Sequence, residues 1–170
     1  IDPNLIAVLV RYDGQATDPA ALAGELRLLL DQDFEAPPPG VTHEIAVRFG
    51  GEEGLDLEDV AGALGLTAKE FVARHNEKPL RVLTTGFAPG FVYCGFHGDD
   101  LILPRRTDVR AQVPAGTILF AAGQSAITAT PLPTGWHVIG RTDFRNFKPE
   151  DDPPTLLAEG DLIRFREAGA

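Results

Sequence analysis

The sequence has little of what several classes of protein need, and sulfur is the first shortage. It contains one cysteine, Cys94, and no methionine. A single cysteine cannot form an internal disulfide, so nothing in the sequence indicates an oxidising compartment. Because methionine is absent even at position 1, we expect the gene product to have further sequence before Ile1.

Long apolar runs and positive charge are also scarce. The N-terminal apolar run, Leu5 to Val10, is too short to span a bilayer, and no signal-peptide cleavage pattern follows it. We therefore expect a cytoplasmic protein without a membrane partner. The formal net charge is -10, and no block of Lys or Arg interrupts the acidic surplus. Such a chain repels phosphate, so we expect no nucleic-acid partner.

Motifs for nucleotides, metals and nucleophiles are missing as well. The chain has no G-x-x-x-x-G-K-[ST] pattern and no H-E-x-x-H pair, so we expect it to bind no cofactor and no metal by itself. The segment Gly123-Gln124-Ser125 resembles the start of a nucleophile elbow but lacks the second glycine. We interpret Ser125 as an ordinary serine at the edge of a strand.

The first half of the chain mixes strand and helix signals. Asp18-Pro19 is typical of a helix start, and Thr67 with Glu70 forms a capping box for another helix. Three prolines, Pro37 to Pro39, predict a connector. The remaining elements come from apolar periodicity: a buried strand at 5–12, a strand at 45–49 with one buried face, and a helix at 57–64.

The second half changes to short apolar or alternating runs separated by Gly and Pro. This spacing predicts a compact all-β barrel or sandwich. We therefore predict a small α+β domain at 1–78 and a β-barrel domain at 79–170. The predicted strands are 80–85, 101–103, 117–121, 125–130, 137–141 and 162–165.

Three segments carry candidate binding chemistry. The first is the loop Gly86-Phe87-Ala88-Pro89-Gly90-Phe91, in which two glycines and a proline would hold a tight turn with exposed N–H groups for an anion or a carbonyl. The alternative is a rigid turn whose phenylalanines fill the core. The second is Arg105-Arg106, suited to bidentate binding of carboxylate or phosphate, or else a solvated turn with surface ion pairs.

The third segment runs from the only tryptophan, Trp136, through His137 to Arg141. It brings an aromatic surface, a titratable imidazole and a cation onto one predicted strand. Successive strand residues point to opposite faces, so Trp136 and His137 cannot line the same pocket. The alternative interpretation is a core tryptophan beside an exposed histidine.

Together these segments resemble a known family, the allophanate hydrolase subunit 1 family, which includes the B subunit of 5-oxoprolinase and a sporulation kinase inhibitor. The resemblance runs from about His75 to the C-terminus. It rests on motifs that occur here in the family's order: Gly86 to Phe91, Pro104-Arg105-Arg106, Val113-Pro114-Ala115-Gly116, Ala122-Gly123-Gln124, Gly135-Trp136, Ile139-Gly140-Arg141-Thr142, Pro153-Pro154, Leu156-Leu157 and Gly160-Asp161.

The resemblance implies a cyclophilin-like β-barrel after the α+β domain. It also implies a partner, subunit 2, in a heterodimer or heterotetramer that hydrolyses a non-peptide C–N bond in a lactam or ureido substrate. For 5-oxoprolinase this reaction is ATP-dependent, and the chain's lack of a nucleotide motif agrees with ATP binding elsewhere in the assembly.

The site residues predicted on this basis are two candidate catalytic histidines, His75 and His137, and a larger substrate-binding set. That set comprises Gly86, Phe87, Pro89, Gly90, Phe91, Arg105, Arg106, Gln124, Trp136 and Arg141. Two other functions stay open: a protein-binding regulator resembling the histidine-kinase inhibitor, and the carboxyltransferase half of a biotin-dependent urea carboxylase.

Overall fold

The computed structural model describes residues 1–3, 7–35, 38 and 40–169, which form two compact units, Ile1–Pro38 and Pro39–Ala170. In order, the elements are β1 (Asp2–Pro3), β2 (Val8–Leu9), α1 (Pro19–Leu30), β3 (Thr42–Phe49), α2 (Leu57–Ala63), α3 (Ala68–His75), β4 (Leu80–Thr85), β5 (Val92–Gly95), a 3₁₀ turn (Asp99–Leu101), β6 (Arg110–Val113), β7 (Thr117–Ala121), β8 (Gln124–Ile127), β9 (Leu132–Thr134), β10 (His137–Arg141) and β11 (Leu162–Glu167).

The first unit contains a two-stranded sheet and one helix. The side chain of Asp18 accepts hydrogen bonds from the Ala20 and Ala21 N–H groups, which confirms the predicted start of α1. The predicted buried strand at 5–12 is wrong where the structure describes it. Val8 and Leu9 pair only with β1 and are each 58% exposed, whereas Leu5 and Ile6 lie outside the described residues.

The second unit is built on a closed barrel of seven strands in the order β10-β3-β11-β4-β5-β8-β7. Neighbouring strands are antiparallel except β3 and β11, which pair in parallel from Thr42 with Leu162 to Val47 with Glu167. The predicted barrel is therefore confirmed. Because β3 completes it, the compact unit begins at Pro39, whereas the sequence predicted a boundary between residues 78 and 79.

The interior of the barrel is one apolar cluster, to which every barrel strand contributes. Val60 of α2 and Phe71 of α3 join the same cluster, and the predicted Thr67–Glu70 capping box starts α3. Representative interior residues, one from each barrel strand, are Ile45, Val82, Cys94, Phe120, Ile127, Ile139 and Ile163.

A second apolar cluster lies on the outer face of the barrel. Successive residues of a strand point to opposite faces, so Leu119, Ala126 and Val138 face outward while their neighbours face inward. Val113 of β6 and Leu132 of β9 cover them. The predicted strand at 101–103 is wrong, because Leu101 ends the 3₁₀ turn. Among the described residues, no helix is long and apolar enough to cross a membrane.

Candidate functional site

Arg105 lies beside Trp136 on the outer face of the barrel. Its guanidinium carbon is 5.6 Å from the centroid of the indole ring, within range of a cation–π interaction. Both side chains line a cavity of about 130 Å³ together with Phe87 and Phe91. Four residues predicted to bind substrate thus meet at one place, which we call the Arg105 cavity.

The loop at the rim of this cavity holds an exposed aromatic ring in a strained backbone. Phe87 has φ +70° and is 72% exposed, although non-glycine residues rarely adopt positive φ. Its ring makes an edge contact with Phe91, whose side chain is buried, and Pro89 is exposed beside it. Burial of the Phe87 ring does not explain this backbone conformation, because the ring is mostly in solvent.

The same loop uses part of its own hydrogen-bonding capacity. The Gly86 N–H donates to the Phe91 carbonyl and the Phe91 N–H donates to the Ala88 carbonyl, at 3.1 and 3.0 Å. These two N–H groups are therefore not available to an anion. Gly90 has φ +67°, and a Cβ there would lie 2.6 Å from the Cβ of Phe147, so only glycine fits.

Arg106 has a different environment from its neighbour. Its guanidinium donates to the carboxylate of Asp56 at 2.6 Å, and Arg110 donates to the same oxygen. The second oxygen of Asp56, which is 2% exposed, accepts the Val138 N–H at 2.7 Å. This buried carboxylate ties α2 to β10 and occupies Arg106, leaving Arg105 as the cation directed at the aromatic rings.

His137 and Trp136 line different cavities, as alternation predicted. His137 lines a more open depression of about 370 Å³ with Arg105, Arg106 and Thr107. Its Nε2 is 3.0 Å from the carbonyl oxygen of Pro104, which can only accept, so Nε2 carries the proton. The Nδ1 atom of the neutral ring is then an acceptor.

The structure does not bring the other predicted residues to the Arg105 cavity. Gln124 is buried at the start of β8, where it pairs with Gly95 and Ala121. Arg141 ends β10 and lines a separate cavity. His75 lies inside the barrel, where it is 1% exposed.

His75 belongs to a chain of hydrogen bonds inside the barrel. Its Nδ1 is 2.7 Å from Oδ1 of Asn76, and its Nε2 is 2.8 Å from Oγ of Ser125. On the other side of Ser125, Nε2 of His97 lies 2.9 Å from the same hydroxyl oxygen. We call these four residues the imidazole chain.

The imidazole chain has one consistent arrangement of protons. Asn76 Oδ1 can only accept, so His75 carries its proton on Nδ1 and its Nε2 accepts the Ser125 O–H. The Ser125 oxygen must then accept from Nε2–H of His97. His97 Nδ1 has no hydrogen bond within the described chain. This nitrogen is accessible, and His97 lines a cavity of about 210 Å³.

Burial keeps both imidazoles neutral. Desolvation lowers the pKa of His75 to about 4, against which the hydrogen bond to Asn76 has a smaller, opposing effect. Desolvation, followed by the nearby His75, lowers the pKa of His97 to about 3. The sequence pattern does not reveal the imidazole chain, since it indicates only an edge serine at Ser125 and gives His97 no role. Within the described ranges, no three His, Cys, Asp or Glu residues are placed to hold a metal ion.

Comparison with known proteins identifies the family. Residues 1–157 match the carboxyltransferase domain, subdomain C and D. The chain belongs to this family. It is also a homologue of the B subunit of 5-oxoprolinase, being 38% identical to that of Bacillus subtilis (strain 168) and 40% identical to that of Escherichia coli O157:H7, over 122 residues in each case.

These alignments cover 72% of the chain but only 51% and 56% of the two relatives, so the chain spans about half their length. A conserved uncharacterized protein from Pyrococcus horikoshii has a similar crystal structure, with 32% identity and a TM-score of 0.72 over 92% of this chain and 72% of that one. The resemblance found in the sequence is thereby confirmed, and the barrel with three helices is the architecture of a carboxyltransferase-domain protein.

Proposed function

We propose that the chain is the small subunit of a heteromeric amidohydrolase of the 5-oxoprolinase type, inactive without a second subunit. The observation that carries this proposal is the 38% and 40% identity to the B subunits of two 5-oxoprolinases. The reaction is the hydrolytic opening of a lactam to an amino acid, coupled to ATP hydrolysis. We also propose a cyclophilin-like class for the barrel and a cytoplasmic location.

Arg105 is the proposed partner of the substrate carboxylate. Its guanidinium is unoccupied by Asp56, which binds Arg106 instead, and it lies where both the Arg105 cavity and the His137 depression can be reached. A planar guanidinium over an indole ring is oriented in advance for bidentate binding of a carboxylate. Phe87 and Phe91 would contact the apolar ring carbons of the ligand.

His137 is the proposed general base. Its Nδ1 can accept a proton from the attacking water while the water oxygen adds to the lactam carbonyl carbon. Collapse of the tetrahedral intermediate then breaks the C–N bond, and the proton held by His137 passes to the leaving nitrogen. His75, the other candidate, has both ring nitrogens in hydrogen bonds, and burial lowers its pKa to about 4. The chain has no glycine-rich loop followed by lysine, so we derive no step through ATP from its residues and place nucleotide binding elsewhere in the assembly.

The test is co-expression with the candidate subunit 2, followed by size exclusion and an assay of glutamate and phosphate released from 5-oxoproline and ATP. Arg105→Gln should raise KM at least about tenfold, because a charge-assisted hydrogen bond to the ligand is lost. Arg145→Gln, at an exposed arginine lining neither cavity, is the control.

Three outcomes contradict the proposal at different levels. Equal kinetics for Arg105→Gln and Arg145→Gln would exclude the Arg105 cavity as the substrate site. Co-elution without turnover would favour carboxyl transfer, as the family description suggests. A chain that ignores subunit 2 would favour a protein-binding regulator.

A further inference from the structure

A cavity of about 510 Å³ lies apart from the Arg105 cavity and from the His137 depression. It is bounded by β6, the start of β7, the end of β10 and the segment that follows β3. Two arginines, Arg110 and Arg141, line it together with the apolar side chains of Leu55, Val113 and Val138. We call it the Arg141 cavity.

Arg141 has a guanidinium without an acceptor. No hydrogen bond or ion pair joins it to any residue in the described part of the chain. Asp143, the carboxylate whose pKa Arg141 helps to lower, is 84% exposed and already bonded to Arg48. Buried polar groups without partners are rare enough in proteins that each one calls for an explanation.

The buried atoms without a hydrogen-bond partner belong to residues that line this cavity. Among the described residues, two side-chain nitrogen or oxygen atoms are buried without a partner, and they are Nε of Arg110 and Nε of Arg141. Both residues line the Arg141 cavity. Arg110 is partly neutralised by Asp56, so Arg141 is the cation left for an incoming anion.

Two carboxylates at the Arg141 cavity affect which anions it can bind. Glu53 also lines it but is held by Arg48. Glu52 is exposed at the rim and has no hydrogen bond or ion pair within the described chain. An unpaired cation and an unpaired carboxylate at one mostly apolar cavity match a ligand with both charges and an apolar body.

From this arrangement we propose that the Arg141 cavity binds a small amino acid with an apolar side chain. The ligand carboxylate pairs with Arg141, its ammonium group pairs with Glu52, and its side chain contacts Leu55 and Val138. Rotation of the Arg141 guanidinium toward the ligand would also give its Nε a partner. The site does not depend on the proposed function, since it uses none of the same residues.

The test is isothermal titration of the full chain with three probes of one shape. They are L-leucine, 4-methylpentanoate, which lacks the ammonium group, and 3-methylbutylamine, which lacks the carboxylate. L-leucine should bind, and 3-methylbutylamine should bind at least about tenfold more weakly, because it loses the charge-assisted hydrogen bond to Arg141. 4-Methylpentanoate should also bind more weakly than L-leucine, by a smaller factor, because the contact that it loses is with the exposed Glu52. Inorganic phosphate is the fourth probe, for a plain anion site.

Substitutions at the cavity test whether L-leucine binds there. Arg141→Gln should weaken L-leucine binding about tenfold or more and Glu52→Gln less, because the exposed Glu52 is screened by solvent. Arg145→Gln should change nothing. If Arg141→Gln does not fold by circular dichroism, Arg141→Lys and Glu52→Gln carry the test, since Lys keeps the charge but loses the bidentate geometry.

Three results overturn the proposal. If L-leucine does not bind at about 10 mM, its binding free energy is too weak for a ligand site. Phosphate or 4-methylpentanoate binding as tightly as L-leucine would make it a general anion site. Equal affinities for Arg141→Gln and Arg145→Gln would put any bound leucine elsewhere.

Discussion

The two faces of β7, β8 and β10 differ in how they treat polar groups. On the inner face, Ser125 sits among apolar residues, and its hydroxyl is shared between two neutral imidazoles. On the outer face, charged side chains line cavities, and Arg141 has no acceptor within the described chain. The Ser125 hydroxyl thus has partners on both sides within the fold, whereas the Arg141 guanidinium has none in the described chain.

The largest loss of stability is expected from substitution of Asp56. Asp56→Ala would leave Arg106 and Arg110 partly buried without their shared carboxylate, so the free energy of unfolding should fall by about 3 kcal/mol. Urea denaturation measures it. Asp59→Ala, on the exposed side of the same helix, should change it by less than about 0.5 kcal/mol. Equal losses would mean that the buried carboxylate does not hold the outer face together.

A smaller loss is expected on the inner face. Ser125→Ala removes the hydroxyl and leaves Nε2 of both His75 and His97 without a partner, which should lower the free energy of unfolding by about 2 kcal/mol. The matching spectroscopic measurement is ¹⁵N NMR of the histidines. Wild type should show the Nδ1–H tautomer for His75 and the Nε2–H tautomer for His97. The reverse pair of tautomers would rule out the proton arrangement that we derive.

Acid should lower the stability contributed by the two buried histidines. The pKa values of His75 and His97 are lowered in the folded chain, to about 4 and about 3, so between pH 6.5 and 5 the unfolded chain binds more protons. Stability is therefore fully present above pH 6.5 and is lost as the pH falls, by up to about 1.4 kcal/mol per pH unit for each histidine.

Urea titrations at pH 6.5 and 5 check this slope, and His97→Gln should make it smaller. A wild-type chain equally stable at both pH values would mean that the two imidazoles are protonated in the folded state.

The smallest effect is expected at the exposed end of the outer face. Phe87→Ala should change the free energy of unfolding by less than about 0.5 kcal/mol, because the ring is mostly in solvent and alanine meets the same positive φ. Under the proposed function, binding of 5-oxoproline to the chain assembled with subunit 2 should weaken all the same. A loss of stability above about 1 kcal/mol, measured in urea, would instead assign Phe87 to the core.

Capping and strand alternation in the sequence predicted the local structure correctly. Asp18 and the Thr67–Glu70 pair start helices where their capping chemistry indicates, and the alternation of strand residues separates Trp136 from His137. Each of these signals depends on residues within one or two turns of each other. The buried strand predicted around Val8 failed because an apolar run does not reveal whether anything will cover it.

Long-range partners were not predictable in the same way. Asp56 and Arg106 are 50 residues apart, as are His75 and Ser125, and nothing in either segment marks its partner. The family motifs located the Gly86–Phe91 loop, Arg105 and Trp136, which do meet. They did not indicate that Arg106 is bound to a buried carboxylate, that Arg141 lines its own cavity, or that His97 faces Ser125.

The pairing of β3 with β11 also determines when the barrel can close during synthesis. A hydrogen-bond partner of the Val41 N–H lies 120 residues later, at Asp161, next to the first paired residues of β11. A ribosome must therefore release nearly the whole second unit before the barrel can close. Until then β3 presents an unpaired edge, which is the kind of surface that chaperones bind and that mispairs between nascent chains. High contact order of this kind also favours slow folding.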